Sequence, residues 1–569
     1  MSTSEAPTSP RASPGRHLPT LPSTHTLRRR PWRKYTTPFP RILAQIYPGS
    51  GTPEDPYLID WLPGRDDPEN PLRWAEGYKW AIMGIATWAT LSVALASSAL
   101  SAAEHSVEED FPDYDREVYT MVLSAFVLGF ATGPLMWAPA SEVSGRRALY
   151  IVTFGLFTIF NGAICSSQNI QTLIVLRFFA GVAGAAPLTN SGGTVADIFE
   201  ADERGLGMVI FSSAPFMGPA LGPICGGFLG ETSGWRWVAA LLAIFSAVLT
   251  LVGGLWLPET YPIVLLRKRA ALLTKVTGKQ YVYKGDKKKR MGILELYKHA
   301  LSRPWELLFK EPIVFLLAIY MAIIIGTLYL LFGAFPIVFQ QERGWSPGIG
   351  GLAFIGVFTG CIIALVYSVV WENPRYARKL KAEGGWLRPE ERLPSAILGG
   401  IMLPSFQSRK LFLGLFTFAW TAAPARIPWI VPIICSAPFG IGMVLLFLSV
   451  FNYLVDSYLI YSASVLAGNV VVRCLAGMAF PLFTTQMYDN LGTNWASTLV
   501  GFLSLACAPL PILFYIYGER IRVRTKFGRE ANEIGMAMRR SMSMQEKSRA
   551  YEDHTARAHP GGPGGAGEP

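Results

Sequence analysis

Two arginines stand inside long apolar runs of this chain. Arg177 lies in Leu173-Ile-Val-Leu-Arg177-Phe-Phe-Ala-Gly181-Val-Ala-Gly184-Ala-Ala-Pro187, and Arg473 lies in the run 457–483. A cation held at bilayer depth is costly, and where one is kept it marks a functional site. Two readings stand for each arginine. It shapes the field of an internal cavity and takes part in exchanging a proton or a ligand, or it pairs with backbone carbonyls. No carboxylate falls in the middle of an apolar run, so Glu142, Asp197 and Asp456, all at run ends, are the nearby acids for proton traffic. Asp197 and Asp456 occupy matching places, Ala196-Asp197-Ile and Val455-Asp456-Ser, as two-fold pseudo-symmetry between halves would produce. Salt bridging at a helix end is the plainer account of both. Glu142, Arg146 and Arg147 mark the junction of the second and third runs. They read either as ordinary basic flanking or as a charge–dipole latch that breaks and re-forms as two halves rock. Asn190, Tyr329, Tyr367, Asn452, Tyr453 and Asn469 are polar groups on otherwise apolar segments, open equally to cavity lining and to helix–helix bonding.

A second feature is the run Phe216-Met-Gly218-Pro219-Ala-Leu-Gly222-Pro223-Ile-Cys-Gly226-Gly227. A phosphate-cradling loop would need a strand before it and a soluble helix after it, and neither is present. In a bilayer, small residues let helices approach closely, and neighbouring helices re-satisfy the backbone groups that proline frees. The run therefore predicts a bent helix packed tightly on a neighbour.

The elements that position these residues follow from composition. Only 16% of the 569 residues are charged and 51% are hydrophobic, and apolar runs of about 20 residues recur, the length that spans a bilayer. Twelve are counted, at about 80–102, 118–139, 148–166, 171–194, 207–229, 237–257, 313–338, 348–371, 396–420, 428–451, 457–483 and 495–517. The fold class expected is an all-α membrane protein with twelve transmembrane helices in two pseudo-symmetric six-helix bundles. The divisions are 1–79, a disordered basic cytoplasmic segment; 80–257, the first bundle; 258–312, a basic cytoplasmic loop; 313–517, the second bundle; and 518–569, a basic and disordered cytoplasmic tail. Basic residues crowd the N-terminus, the 140–147, 258–312 and 372–394 loops and the C-terminus, while the 103–117 loop is acidic, so both termini are placed in the cytoplasm. All six cysteines lie in apolar runs without paired spacing, and none of the six histidines lies in a run. No cofactor, metal site or enzymatic constellation is expected.

The motifs resemble those of the major facilitator superfamily, and specifically its fungal twelve-span drug:proton antiporter branch, over residues 60–525. The Gly218–Gly227 run is similar to the fifth-helix motif of antiporters. Arg177-x-x-x-Gly181-x-x-Gly184 resembles the fourth-helix motif of proton-coupled members, and Trp137-Ala-Pro139-Ala-Ser141-Glu142-x-x-Gly145-Arg146-Arg147 the loop motif between helices 2 and 3. In that loop, Ala138 and Glu142 stand where the superfamily usually has glycine and aspartate. Pro258-Glu259-Thr260-Tyr261 and Asn452-Tyr453-Leu-Val-Asp456-Ser-Tyr458 look like the fungal motifs after helices 6 and 10. The resemblance implies a monomeric exporter of a small amphipathic compound, a drug or fungal secondary metabolite, exchanged for protons by alternating access. The partners it implies are that small molecule, protons and the lipid bilayer, without nucleic acid. The plasma membrane is the expected location, with the vacuolar membrane as the alternative. A polyamine transporter, a proton-independent facilitator and a transporter-like membrane sensor are the competing readings.

Overall fold

A computed structural model describes residues 35–62, 67–200, 203–288, 292–384, 387–404, 414–422 and 427–537. The basic cluster Arg28–Arg30, the Ser9-Pro10 and Ser13-Pro14 pairs, and Arg539 and Arg540 lie outside the described residues. The protein is nearly all helix. The first half contains α1 (Glu76–Ala99), α2 (Arg116–Ser144), α3 (Arg146–Cys165), α4 (Ile170–Ile198), α5 (Arg204–Ser233) and α6 (Trp235–Trp256). The stretch between the halves carries α7 (Pro262–Thr277) and α8 (Ile293–Lys310). The second half contains α9 (Pro312–Phe335), α10 (Ile355–Tyr367), α11 (Leu393–Met402), α12 (Leu415–Ala422), α13 (Ile430–Tyr458), α14 (Ser462–Cys507) and α15 (Pro509–Arg524).

Among the described residues, nine helical runs are long and apolar enough to cross a membrane. The last, Ile430–Arg524, is 95 residues long, far more than one crossing needs. Leu459 (φ 36°) breaks it once, and Gly492, with φ 70° and ψ 160°, breaks it again inside α14. The ninth expected span, 396–420, corresponds to α11 and α12, which are separated by residues 405–413 outside the described set.

Single glycines make the sharpest reversals. Gly145 between α2 and α3 (φ 91°, ψ 162°), Gly234 between α5 and α6 (φ 84°, ψ 165°) and Gly492 share one backbone geometry. That region is open only to a residue without a Cβ.

Packing repeats between the halves. In the first half α1 lies along α5, α2 along α4, and α3 along α6; in the second, α9 lies along α14, α10 along α13, and α11 along α15. Across the halves, α2 meets α14 and α5 meets α10 together with the short helical piece before it. The exposed large side chains of α6, Trp237, Ile244, Leu251 and Leu255, form a stripe at roughly helical spacing that suits lipid, whereas α9 is mostly buried. Tertiary position separates them, since both sequences are apolar throughout.

The segment before the first bundle, expected to be disordered, carries ordered elements where it is described. In the described part of that segment, β1 (Tyr57–Ile59) pairs in parallel with β2 (Tyr281–Tyr283) from the central stretch, in the register Tyr57 to Tyr281. Ile42, Tyr47 and Ile59 pack on Leu266, Ala270 and Leu273 of α7 in a small separate core. Arg269 of α7 is buried and donates to Asp67 Oδ2 at 2.8 Å and Oδ1 at 3.0 Å, to Glu69 Oε2 at 2.7 Å and to Thr37 Oγ1 at 3.2 Å. Burial alone would raise the Asp67 carboxyl, but the hydrogen bonds from Arg269 and Thr37 outweigh it and hold the group below the usual aspartate range. Arg73 and Lys79 then bind Glu200 (2.9 Å) and Glu203 (3.7 Å), tying the belt to the first half. Disorder was expected because no single piece here buries much apolar surface; two pieces 200 residues apart do so together.

The tail is folded as well as far as it is described. Residues 526–537 are helical, and Glu311 Oε1 accepts the backbone N–H groups of Phe527 (3.1 Å) and Gly528 (3.4 Å) at the start of that helix. Arg522 is buried and paired with the buried Glu390. α8 exposes Leu294, Leu301, Trp305 and Phe309 along one side and carries Lys298, Arg303 and Lys310, the pattern of a helix lying in the headgroup region.

Candidate functional site

A cavity lies between the two halves. Phe130, Leu188 and Phe216 line it from the first half, and Tyr329, Phe447 and Arg473 from the second. Phe216 and Phe447 meet edge to face across it, their ring centroids 4.6 Å apart. Apolar walls with a few polar groups are the usual make-up of a small-molecule site. Among the described residues, Arg473 is the one charged group on its wall. Its guanidinium sits over the Phe447 ring at 4.8 Å.

Arg177 does not line this cavity. It is fully buried, and its three donor nitrogens bind the carbonyls of Val122 (3.2 Å), Ala96 (3.0 Å) and Ser97 (3.3 Å), with the Phe126 ring 4.1 Å away. Ala96 and Ser97 lie in the last turn of α1, where carbonyls lack intrahelical partners and the helix dipole favours a cation. The same Ser97 hydroxyl accepts a bond from Tyr329 at 3.1 Å, so a short polar line joins the cavity wall to Arg177. Gly181, four residues further on, lets α4 approach α2 closely here. A Cβ on Gly181 would stand 2.1 Å from the Phe126 carbonyl oxygen of α2.

The glycine–proline run on α5 forms the seam with α1. A Cβ on Gly218 would meet that of Ala94 at 2.4 Å, one on Gly222 the Ser98 hydroxyl at 2.1 Å, and one on Gly226 the Ala99 carbonyl oxygen at 1.9 Å. The Ser98 hydroxyl donates to the Pro219 carbonyl at 2.9 Å, satisfying an acceptor whose ordinary helical partner is Pro223, a residue without N–H. Gly227 turns toward the second half, where a Cβ would lie 2.7 Å from the Pro347 carbonyl oxygen. Glu231 accepts the N–H of Gly348 at 2.8 Å, and Gln486 donates to Glu117 at 2.8 Å, so the acidic-loop side of the cavity is bridged between halves.

On the opposite side each half holds one arginine–aspartate pair. In the first, Arg146 Nε lies 3.3 Å from Asp197 Oδ2, its Nη1 donates to Ser141 Oγ (2.6 Å) and Asn190 Oδ1 (3.1 Å), and the guanidinium covers the Tyr261 ring at 4.9 Å. Burial pushes the Tyr261 hydroxyl up to about 12, so it stays neutral beneath the cation. Glu259 accepts the Arg146 backbone N–H at 2.9 Å and caps the start of α3. In the second, Arg392 Nε lies 3.0 Å from Asp456 Oδ2, Tyr376 donates to the same oxygen at 3.3 Å, and the Arg392 guanidinium covers the Tyr376 ring at 3.4 Å. The two pairs occupy corresponding places, at the starts of α3 and α11 and the ends of α4 and α13.

Several sequence-selected residues fall elsewhere than expected. Glu142 is exposed, and Asp197, not Glu142, is the carboxylate partner of Arg146. Arg147 donates to the Gly254 carbonyl at 2.7 Å. Asn190 joins the Arg146 cluster and not the central cavity. Tyr453 is fully buried next to Gly518 of α15, and Asn469 is buried with its Nδ2 unpaired. Asn452 and Tyr367 are half-buried away from the cavity wall, and Tyr367 packs against the main core. Tyr329 and Arg473 do line it. Arg392, Tyr376, Glu259 and Ser97 were not selected. The internal symmetry that matched Asp456 to Asp197 would have led to Arg392 as the counterpart of Arg146.

Two helical halves around a cavity, with paired charges at one mouth and a close-packed seam at the other, define a polytopic membrane transporter. The chain belongs to the Major Facilitator Superfamily, whose family pattern matches residues 80–481. It is 54% identical over 505 residues to an MFS-type efflux pump, MFS2, of Trichophyton rubrum, covering 88% of this chain and 83% of the relative. It is 49% identical over 513 residues to the multidrug transporter mdrA of Aspergillus fumigatus, covering 90% and 82%. It is 46% identical over 532 residues to the efflux pump FUB11 of Gibberella moniliformis, covering 91% and 87%. The proton:xylose symporter XylE matches in fold with a TM-score of 0.55 at 16% identity, over 78% of this chain and 96% of that one. The protein is therefore a multi-pass membrane transporter of this superfamily and not an enzyme.

Proposed function

We propose that this transporter exports a small amphipathic organic compound, a drug or secondary metabolite, in exchange for protons by alternating access. The central cavity between the halves carries this reading: its walls come from both halves and are apolar and aromatic. The similar fungal proteins, named as efflux pumps and a multidrug transporter, support the direction of transport. The Arg146–Asp197 and Arg392–Asp456 pairs are the proposed cytoplasmic latches, opening when the cavity faces the cytoplasm. Asp197 and Asp456 are the proposed proton-exchanging acids, and the Tyr329–Ser97–Arg177 line is the proposed link between cavity occupancy and the α1 end. The close α5–α1 seam acts as the seal that prevents leak. The protein works as a monomer in the plasma membrane.

A proton-independent facilitator is the second reading, favoured by one observation: among the described residues, no carboxylate lines the cavity. Uptake of fungal metabolites and drugs by inside-out vesicles distinguishes the two. Uptake driven by an acid-inside gradient and abolished by a protonophore supports antiport. Uptake that persists without the gradient leaves the facilitator, and transport in neither condition for any compound sinks the export reading.

A further inference from the structure

We propose that the cavity selects an organic anion: an apolar, ring-bearing body with one carboxylate, held by Arg473. This rests on the efflux reading of the same cavity and names the substrate class. Three observations carry it. First, Arg473 is the one charge on the cavity wall among the described residues, and the titratable groups around it are Cys474, Tyr329 and the distant cation Arg177, with no acid. Second, the cation nearest this wall in the first half is already committed, since Arg177 spends its donors on three carbonyls. The cavity therefore has a positive field that nothing in the described protein neutralises. Third, the guanidinium rests over Phe447, which supports its flat face, and its recorded side-chain partner is the Cys474 thiol, a weak one that an in-plane carboxylate outcompetes. A carboxylate matches that donor fork as a bidentate acceptor. A cationic ligand would meet repulsion without compensation.

The rest of the wall fits the rest of such a molecule. Phe216, Phe447 and Phe130 offer ring faces and edges to an apolar body. The charge also bears on direction. An inside-negative membrane potential favours outward movement of a monoanion, so the group that docks the ligand also adds to the driving force.

The test uses the full chain in lipid nanodiscs at neutral pH. The probes are 2-naphthoate, 4-phenylbenzoate and 9-anthracenecarboxylate, each compared with its carboxamide, which has the same shape without the charge. Binding is read by calorimetry for the native chain, R473Q and R473K, with a thermal melt to confirm that each variant is folded. In the native chain at least one acid binds about tenfold or more tightly than its amide, as a charge-assisted bond in a desolvated site requires. R473Q brings the pair to parity, and R473K keeps part of the preference. Parity in the native chain, a preference that survives R473Q, or failure of every acid to bind overturns the proposal. Counterflow of the same probes in vesicles separates this from the export reading. An amide carried as well as its acid refutes anion selection while leaving export intact. An acid that binds through Arg473 but is never carried upholds the anion site and removes export.

Discussion

Replacing Arg269 with glutamine should release the cytoplasmic belt. In the native chain its guanidinium is 2% exposed and makes four contacts of 2.7–3.2 Å to Asp67, Glu69 and Thr37. Asp67 is equally buried, so the substitution strands a carboxylate with no counter-charge. Breaking a buried pair from one side costs about 3–5 kcal/mol, because the remaining charge stays desolvated. The satellite core of Ile42, Tyr47, Ile59, Leu266, Ala270 and Leu273 is small, so a loss of that size exceeds what it can supply. The β1–β2 pairing should open locally while the membrane helices stay folded, since its core is separate from the Trp74 cluster that packs on α1, α4 and α5. Amide hydrogen exchange at Tyr57–Ile59 and Tyr281–Tyr283 should accelerate by about 100-fold or more. The double variant Asp67→Asn with Arg269→Gln should recover part of the loss. The pH dependence has a definite sign. The Asp67 carboxyl lies below its ordinary value in the folded chain, so its contribution is complete above that ordinary value and disappears as pH falls through the lowered one. The native belt should therefore persist at mildly acidic pH and open only in stronger acid. Unchanged exchange in R269Q, with the helices intact, would refute the argument that this buried pair holds the belt.

Three further outcomes follow from the site. Gly226→Leu places a side chain where even a Cβ would stand 1.9 Å from the Ala99 carbonyl oxygen, so α5 and α1 must separate; overpacking of this kind costs roughly 1–3 kcal/mol, and vesicle transport should collapse while expression persists. Arg392→Gln should impair transport to a degree comparable with Arg146→Gln, because each removes the cation of one latch; transport assays in which only one of the two matters would contradict the paired arrangement. Tyr329→Phe removes a single buried bond to Ser97, worth about 0.5–1.5 kcal/mol, and should lower the melting temperature slightly while weakening ligand-dependent stabilisation. An unaltered ligand response would break the proposed link to Arg177.

The sequence carried the architecture because the bilayer imposes it. Apolar runs of spanning length were legible from single residues, and so was a helix packed closely on a neighbour at the glycine–proline run, since so many glycines and prolines in one apolar helix have few other physical uses; that the neighbour is α1 was not. Position along the chain also identified Asp197 and Asp456 as equivalents. Pairing was not legible. Glu142 lies four residues from Arg146 yet is exposed, while Asp197, 51 residues away, is the partner, because α4 returns to the start of α3. Arg177 and Arg473 look alike as lone cations in apolar helices. Tertiary structure gave one of them three carbonyls and left the other on a cavity wall, and no local pattern distinguishes those environments. The belt was hidden for the same reason: Asp67 and Arg269 are 202 residues apart, and each becomes an ordering residue only once folding has removed both from water.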